Sequence, residues 1–125
     1  MELVGIVLVS HSEKVVEGTK DILKQVVGDV PIAIAGGTDD GSIGTSIDKI
    51  QAAIEGIHSE KGTLLFYDIG SARMNAEMAL EMMDLQSIDI AEAPLVEGAY
   101  LAAVESSMDK PLEAIQESLY KEYSS

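Results

Sequence analysis

The strongest constraint on this chain is an alternation. Three short apolar runs rich in β-branched residues, LVGIVLV (3–9), VPIAIA (30–35) and TLLFYDI (63–69), are separated by segments with helical periodicity. Runs this short and this continuously apolar suit parallel strands buried on both faces, whereas a half-exposed strand would alternate with polar residues. A weaker fourth run, SIDIAEAPL (87–95), places its strand over 87–91. Between the runs, Ile43, Ile47, Ile50, Ile54 and Ile57 recur at steps of four and three, the spacing of one helix face. Val15, Thr19, Ile22, Leu23 and Val26 read as a second face. Ala72, Ala76, Ala79, Leu80 and Met83 make a third, built of small residues suited to close packing on a sheet. Two further helices are expected over 97–107 and 111–122, the last with Asp109 as N-cap and Pro111 in its first turn.

Strand–helix alternation implies right-handed crossovers and an α/β fold. The expectation is one doubly wound domain over residues 1–125, without repeats or linkers. Its sheet is mostly parallel and four-stranded, in the order 2-1-3-4, with room for an extra edge strand and with helices on both faces. That order puts the switch point between strands 1 and 3. The segments SHS (10–12), GGTDDGSIGTS (36–46) and DIGSA (68–72) then leave the strands' carboxyl ends on one rim, where such folds bind ligands.

Charge and composition remove several classes of function. The chain has 8 basic and 22 acidic residues, a net charge of −14. Nucleic acid, anionic membrane and free nucleotide are poor partners for such a surface, because phosphate binding depends on clustered Lys and Arg. A protein with a basic face would be attracted, although acidity also serves solubility alone. With no cysteine there is no disulfide scaffold, thiolate zinc site or cysteine nucleophile, which fits a reducing compartment. No run approaches the roughly 18–20 apolar residues of a membrane span, and no basic leader precedes the first strand, so a cytoplasmic protein is expected.

The chemistry on the rim centres on His11. A neutral imidazole is a nucleophile, and the amides of a helix start would welcome a phosphoryl group once attached; the plainer alternative is a structural histidine. Asp68, at the end of strand 3, can fix the tautomer of His11 through one ring nitrogen, or cap the helix that starts near Ser71, or do both. The glycine-rich loop lacks the lysine and the spacing of a nucleotide-binding loop, and Asp39 and Asp40 would repel a free polyphosphate. It reads as a shaped rim. Gly37 lets a partner's backbone come near, and Thr38 and Thr45 are hydrogen-bond donors for a transient phosphoryl group, unless Thr45 with Asp48 merely forms a capping box. Ser10, Ser12, Gly70 and Ser71 supply further hydroxyls and amides. Arg73 is the nearest cation in sequence, with a solvated role as its alternative. His58, near a helix end, reads as structural. The methionines read as core and interface filler. No cluster has metal-ligand spacing, so neither metal nor cofactor is expected.

Four blocks, GIVLVSHS (5–12), GGTDDGSIGTS (36–46), DIGSARMNAEMALE (68–81) and APLVEGAYLAAV (93–104), together resemble the phosphotransferase subunit of bacterial dihydroxyacetone kinase, itself similar to the IIA domain of mannose-type sugar phosphotransferase systems. The resemblance covers most of the chain to about residue 105. It implies a phosphohistidine relay in which His11 takes a phosphoryl group from the histidine-containing phosphocarrier protein and passes it to ADP on the nucleotide-binding subunit of the kinase. ATP so regenerated phosphorylates dihydroxyacetone. The family's aspartate falls on Asp68, and family members are homodimers. The sugar-transport relatives have glycine, serine and proline after that aspartate; this chain has Ile69, Gly70, Ser71 and Ala72, which favours the kinase subunit. The alternatives are a mannose-type IIA protein feeding a sugar permease and a non-catalytic flavodoxin-like binding module.

Overall fold

A computed structural model describes residues 2–124. In chain order its elements are β1 (Gly5–Ser10), α1 (Glu13–Val26), β2 (Ile32–Gly36), α2 (Ile47–Ile57), β3 (Thr63–Tyr67), α3 (Gly70–Glu81), β4 (Ile88–Ile90), α4 (Leu95–Ser107) and α5 (Leu112–Tyr123). The strands form one all-parallel sheet in the order β2-β1-β3-β4, as the alternation implied. Among the described residues no fifth strand joins either edge.

Strand periodicity divides the core in two. Ile6 and Leu8 of β1, with Leu64 and Phe66 of β3, point to one side, where α1, α4 and α5 cover them. Val7 and Val9, with Leu65, point to the other, against Ile50 and Ile54 of α2 and Ala72, Ala76 and Ala79 of α3. Each fully buried aliphatic or phenyl side chain is worth about 1.5–3 kcal/mol, so the central strands, covered on both faces, anchor the fold.

Register aligns the ends of the two central strands. Val9 lies opposite Tyr67 across β1 and β3, so one step further the chain brings Ser10 opposite Asp68.

Three local expectations are corrected. On α1 the sheet-facing residues are Val16, Thr19 and Leu23, while Val15, Ile22 and Val26 are exposed. Apolar residues flank both sides of that helix's true inner face, and periodicity alone chose a stripe rotated outward. Ile43 precedes α2 and lies in the exposed loop. Asp109 does not cap α5: it takes a left-handed turn at φ 59°, pairs with Lys61 at 3.5 Å, and leaves Pro111 at the helix start.

Gly36 shows how tightly α1 sits on β2. A Cβ there would lie 2.5 Å from Cγ2 of Val16, 2.8 Å from the carbonyl oxygen of Ser12 and 2.9 Å from Cα of Glu13. Backbone cannot yield as a side-chain tip can. Gly36→Ala is therefore expected to destabilise the protein by about 1–3 kcal/mol. Gly18, inside α1 with nothing beyond its own helix backbone within 4 Å of such a Cβ, should instead gain about 0.5–1 kcal/mol as alanine. Urea unfolding of the two variants checks both signs, and equal midpoints would refute the packing argument.

Candidate functional site

At the carboxyl end of the two central strands the chain builds a small polar array around His11. The imidazole Nδ1 lies 3.1 Å from Oδ1 of Asp68, and Nε2 lies 2.7 Å from Oγ of Ser71. Asp68 collects more than the ring. Its Oδ2 accepts from the Ser10 hydroxyl at 2.8 Å and from the His11 backbone amide at 3.1 Å, and its Oδ1 accepts from the Ile69 amide at 2.7 Å. The side chains of His11 and Asp68 are each 20% exposed, so the pair is seated in the surface yet open to approach.

The charge state of Asp68 follows from these contacts. Burial by itself would raise its pKa, but the hydrogen bonds from Ser10, from the His11 amide and ring and from Ile69 together outweigh it, and the carboxyl is held below its ordinary range. An ionised carboxylate only accepts hydrogen bonds. Nδ1 of the neutral ring must then carry the proton, which leaves the lone pair on Nε2, and the Ser71 hydroxyl donates to it. The geometry thus favours one tautomer of the neutral ring, with its free lone pair on Nε2.

Other expected residues fall into two groups. Ser10 is fully buried, and besides bonding Asp68 its oxygen accepts from the Ser12 amide at 3.0 Å. Ser12 is the N-cap of α1, accepting from the Val15 amide. Gly70 opens α3, and with Ser71 it is exposed beside the ring. The glycine-rich loop is nearby but turned to its own needs. Gly37, at φ 74°, donates to the Ser10 carbonyl; Thr38 bonds Asp40 at 2.6 Å and receives the Ser42 amide; Thr45 accepts from Asn75. The Thr38 and Ser42 hydrogen bonds hold the Asp40 carboxyl at about 2. Helix α2 is capped by Ser46, not Thr45, with Ser46 also bonding Asp39 at 2.5 Å.

Arg73 is engaged by Glu77 at 2.8 Å and Glu92 at 3.0 Å. His58 ends α2 with Nδ1 2.9 Å from the Thr63 hydroxyl, the structural position expected of it.

Two contributors escape a reading of the sequence. The Gly44 amide bonds the His11 carbonyl at 2.9 Å and ties the loop to the site, and the Ile69 amide supplies a donor to Asp68. Backbone donors leave no side-chain signature, although a glycine in a rim loop is a place to look for one.

Comparison with known proteins gives the family. Residues 5–116 match the family model EIIA-man, described as the PTS system fructose IIA component, and the chain belongs to that family. It is 44% identical over 115 residues to phosphoryl donor subunit DhaM of PEP-dependent dihydroxyacetone kinase 1 from Listeria innocua, covering 92% of this chain and 91% of that one. Against phosphotransferase subunit DhaM of the PTS-dependent dihydroxyacetone kinase of Lactococcus lactis the identity is 42% over 118 residues, covering 94% of each. A crystal structure of a protein described as of unknown function, EF1359, superposes with a TM-score of 0.85 at 31% identity, over 97% of this chain and 95% of that one. Within its family the chain thus stands with the phosphoryl donor subunits of dihydroxyacetone kinase.

Proposed function

We propose that this chain is a phosphohistidine relay whose nucleophile is Nε2 of His11. One observation carries the reading: the ring is clamped by an ionised carboxylate on Nδ1 while Nε2 faces an exposed serine hydroxyl at the open rim. In the first step the Nε2 lone pair attacks the phosphorus carried by the histidine-containing phosphocarrier protein. The donor's P–N bond breaks with its electrons returning to the donor ring, and an Nε2–P bond forms. Ser71 releases Nε2 as the phosphoryl group arrives and its hydroxyl stands beside the phosphoryl oxygens. Because Nδ1 keeps its proton, the phosphorylated ring is cationic, and Asp68 balances that charge. The helix starts at Glu13 and Gly70 flank the rim, with their amide dipoles favourable to the incoming anion.

In the second step an oxygen of ADP, held on the nucleotide-binding kinase subunit, attacks the same phosphorus and the Nε2–P electrons return to His11. ATP forms there and phosphorylates dihydroxyacetone. The chain needs no nucleotide pocket of its own, which accords with its acidity. Two copies form the working unit in this reading.

The family also contains IIA components of sugar transport, so the acceptor is tested directly. The phosphorylated chain is offered either the ADP-loaded kinase subunit or a sugar-specific IIB domain. Discharge to ADP with formation of ATP is the expected result; discharge to the IIB domain alone would reassign the acceptor. Failure to form an acid-labile phosphate at all would leave a non-catalytic binding module.

A further inference from the structure

The first turn of α3 carries Ser71, whose hydroxyl lies 2.7 Å from Nε2 of His11, yet little at the helix's own start holds that turn in place. Ile69, its N-cap, makes no side-chain bond, and Asp68 secures only the Ile69 amide, ahead of the helix. Two ties from outside flank the turn instead. On one side Arg73 meets Glu92, an exposed ion pair, and exposed pairs hold little. On the other, Nδ2 of the half-buried Asn75 donates to Oγ1 of the half-buried Thr45. Asn75 follows Ser71 by four residues, one turn on along the same helix face. Thr45 belongs to the glycine-rich loop, and the amide of its neighbour Gly44 donates to the His11 carbonyl at 2.9 Å. The bonds close a circuit. It runs from the His11 ring to Ser71, along one turn of α3 to Asn75, across to Thr45, and through Gly44 back to the backbone of His11.

We propose that Asn75 is a positioning residue for phosphoryl transfer, its bond to Thr45 setting where Ser71 stands against Nε2 of His11; the inference rests on the relay reading. Residue type is the first support. Asparagine is a poor helix former, because its short amide competes for nearby backbone groups. Asn75 nevertheless sits inside α3, and its amide bonds a loop residue 30 positions away rather than its own helix. The second support is what Ser71 has to do. In the resting site its hydroxyl donates to the Nε2 lone pair. When the phosphoryl group arrives, the same hydroxyl must leave that line and stand beside the phosphoryl oxygens. A displacement of about 1 Å would leave it blocking the lone pair or out of reach of the oxygens, and a shift of that size can slow transfer by up to ~10²-fold. A neutral amide makes the tie without setting a further carboxylate against an incoming anion, on a chain that already carries 22 acidic residues. Asn75 thus acts through Ser71 and the loop, and takes no part in the bond that forms.

The test is a double-mutant cycle on the full chain with Asn75→Ala, Thr45→Val and the two combined. Both uptake from the phosphocarrier protein and discharge to the ADP-loaded kinase subunit are followed. Each single variant should lower kcat of both steps about tenfold with KM unchanged. The combined variant should be no slower than either single one, since both remove the same bond. Thr45→Ser, which keeps the oxygen, should recover most of the rate lost in Thr45→Val. In the unphosphorylated chain the ¹⁵N shift of Nε2 should move in both single variants as the Ser71 bond loosens, a change that a tie serving stability alone would not produce. A wild-type kcat in Asn75→Ala, a loss seen only in KM, losses that multiply in the combined variant, or an unmoved Nε2 shift would each overturn the assignment. A defect in Thr45→Val without one in Asn75→Ala would do the same, because Thr45 would then meet the phosphoryl group itself. Should Asn75→Ala not fold, the contrast of Thr45→Val with Thr45→Ser and their Nε2 shifts decide alone. If the unsubstituted chain takes up no phosphate, the relay reading falls by that result, whereas the Nε2 shift still reports whether Asn75 places Ser71, so the two failures are told apart.

Discussion

A His11→Ala chain is expected to take up no acid-labile phosphate from the phosphocarrier system, while His58→Ala labels as well as wild type. The two histidines make a controlled comparison. His11 presents Nε2 at the open end of the sheet beside Ser71, with its other nitrogen tied to Asp68. His58 ends α2 and bonds the Thr63 hydroxyl at the start of β3, at the opposite end of the strands. Removing a covalent acceptor removes the phosphorylated species itself, so the loss should be complete rather than graded. Mass-spectrometric mapping of the labelled chain locates the phosphate. Label persisting in His11→Ala, or lost only in His58→Ala, would mean that the nucleophile has been misplaced.

Asp68→Asn is the second large effect, and it separates positioning from capping. The carboxylate of Asp68 receives four donors: the Ser10 hydroxyl, the His11 and Ile69 amides and the His11 ring. A carboxamide of the same shape can accept at only one of its two heteroatoms, so its NH₂ must face a donor. The ring relieves the conflict by moving its proton to Nε2, which removes the nucleophilic lone pair. Phosphoryl transfer should slow on the order of 10²- to 10⁴-fold with the fold retained. The ¹⁵N shifts of the ring report the tautomer directly. Transfer at the wild-type rate would reduce Asp68 to a structural role at the start of α3.

The same carboxylate gives a pH dependence with a definite sign. Its pKa in the folded chain lies below the unperturbed value of 3.8. The unfolded state therefore binds the proton more readily, and stability rises with pH through this window. The contribution is fully present above the ordinary carboxylate range and is lost as pH falls through the lowered value. Urea midpoints followed downward from neutral pH should show a shallower acid decline in Asp68→Asn than in wild type.

The sheet order was legible because it is written in residue types. β1, β2 and β3 announce themselves as apolar runs, and the helical spacings between them leave little choice but parallel strands with crossover connections. From the strand order it also followed that His11 and Asp68 share a rim. What the runs could not show is rotation about a helix axis. On α1, Val15 and Val16 are equally apolar, and only contact with β1 and β2 decides that Val16 is covered and Val15 is not. Caps behave similarly: Thr45 and Ser46 carry the same group, and the path of the loop, held by the Asp39–Ser46 bond, chooses Ser46.

Local sequence therefore settled the architecture and placed His11 and Asp68 on one rim, since burial on both faces and strand order depend on composition and periodicity. Tertiary structure alone decided which ring nitrogen of His11 faces Asp68 and which faces Ser71, that Ser10 lies beneath the site bonded to Asp68, and that α3 turns its methionines outward. Those outcomes depend on donor and acceptor positions fixed to fractions of an ångström, and such distances arise only when strands adjacent in space but remote in sequence come into register.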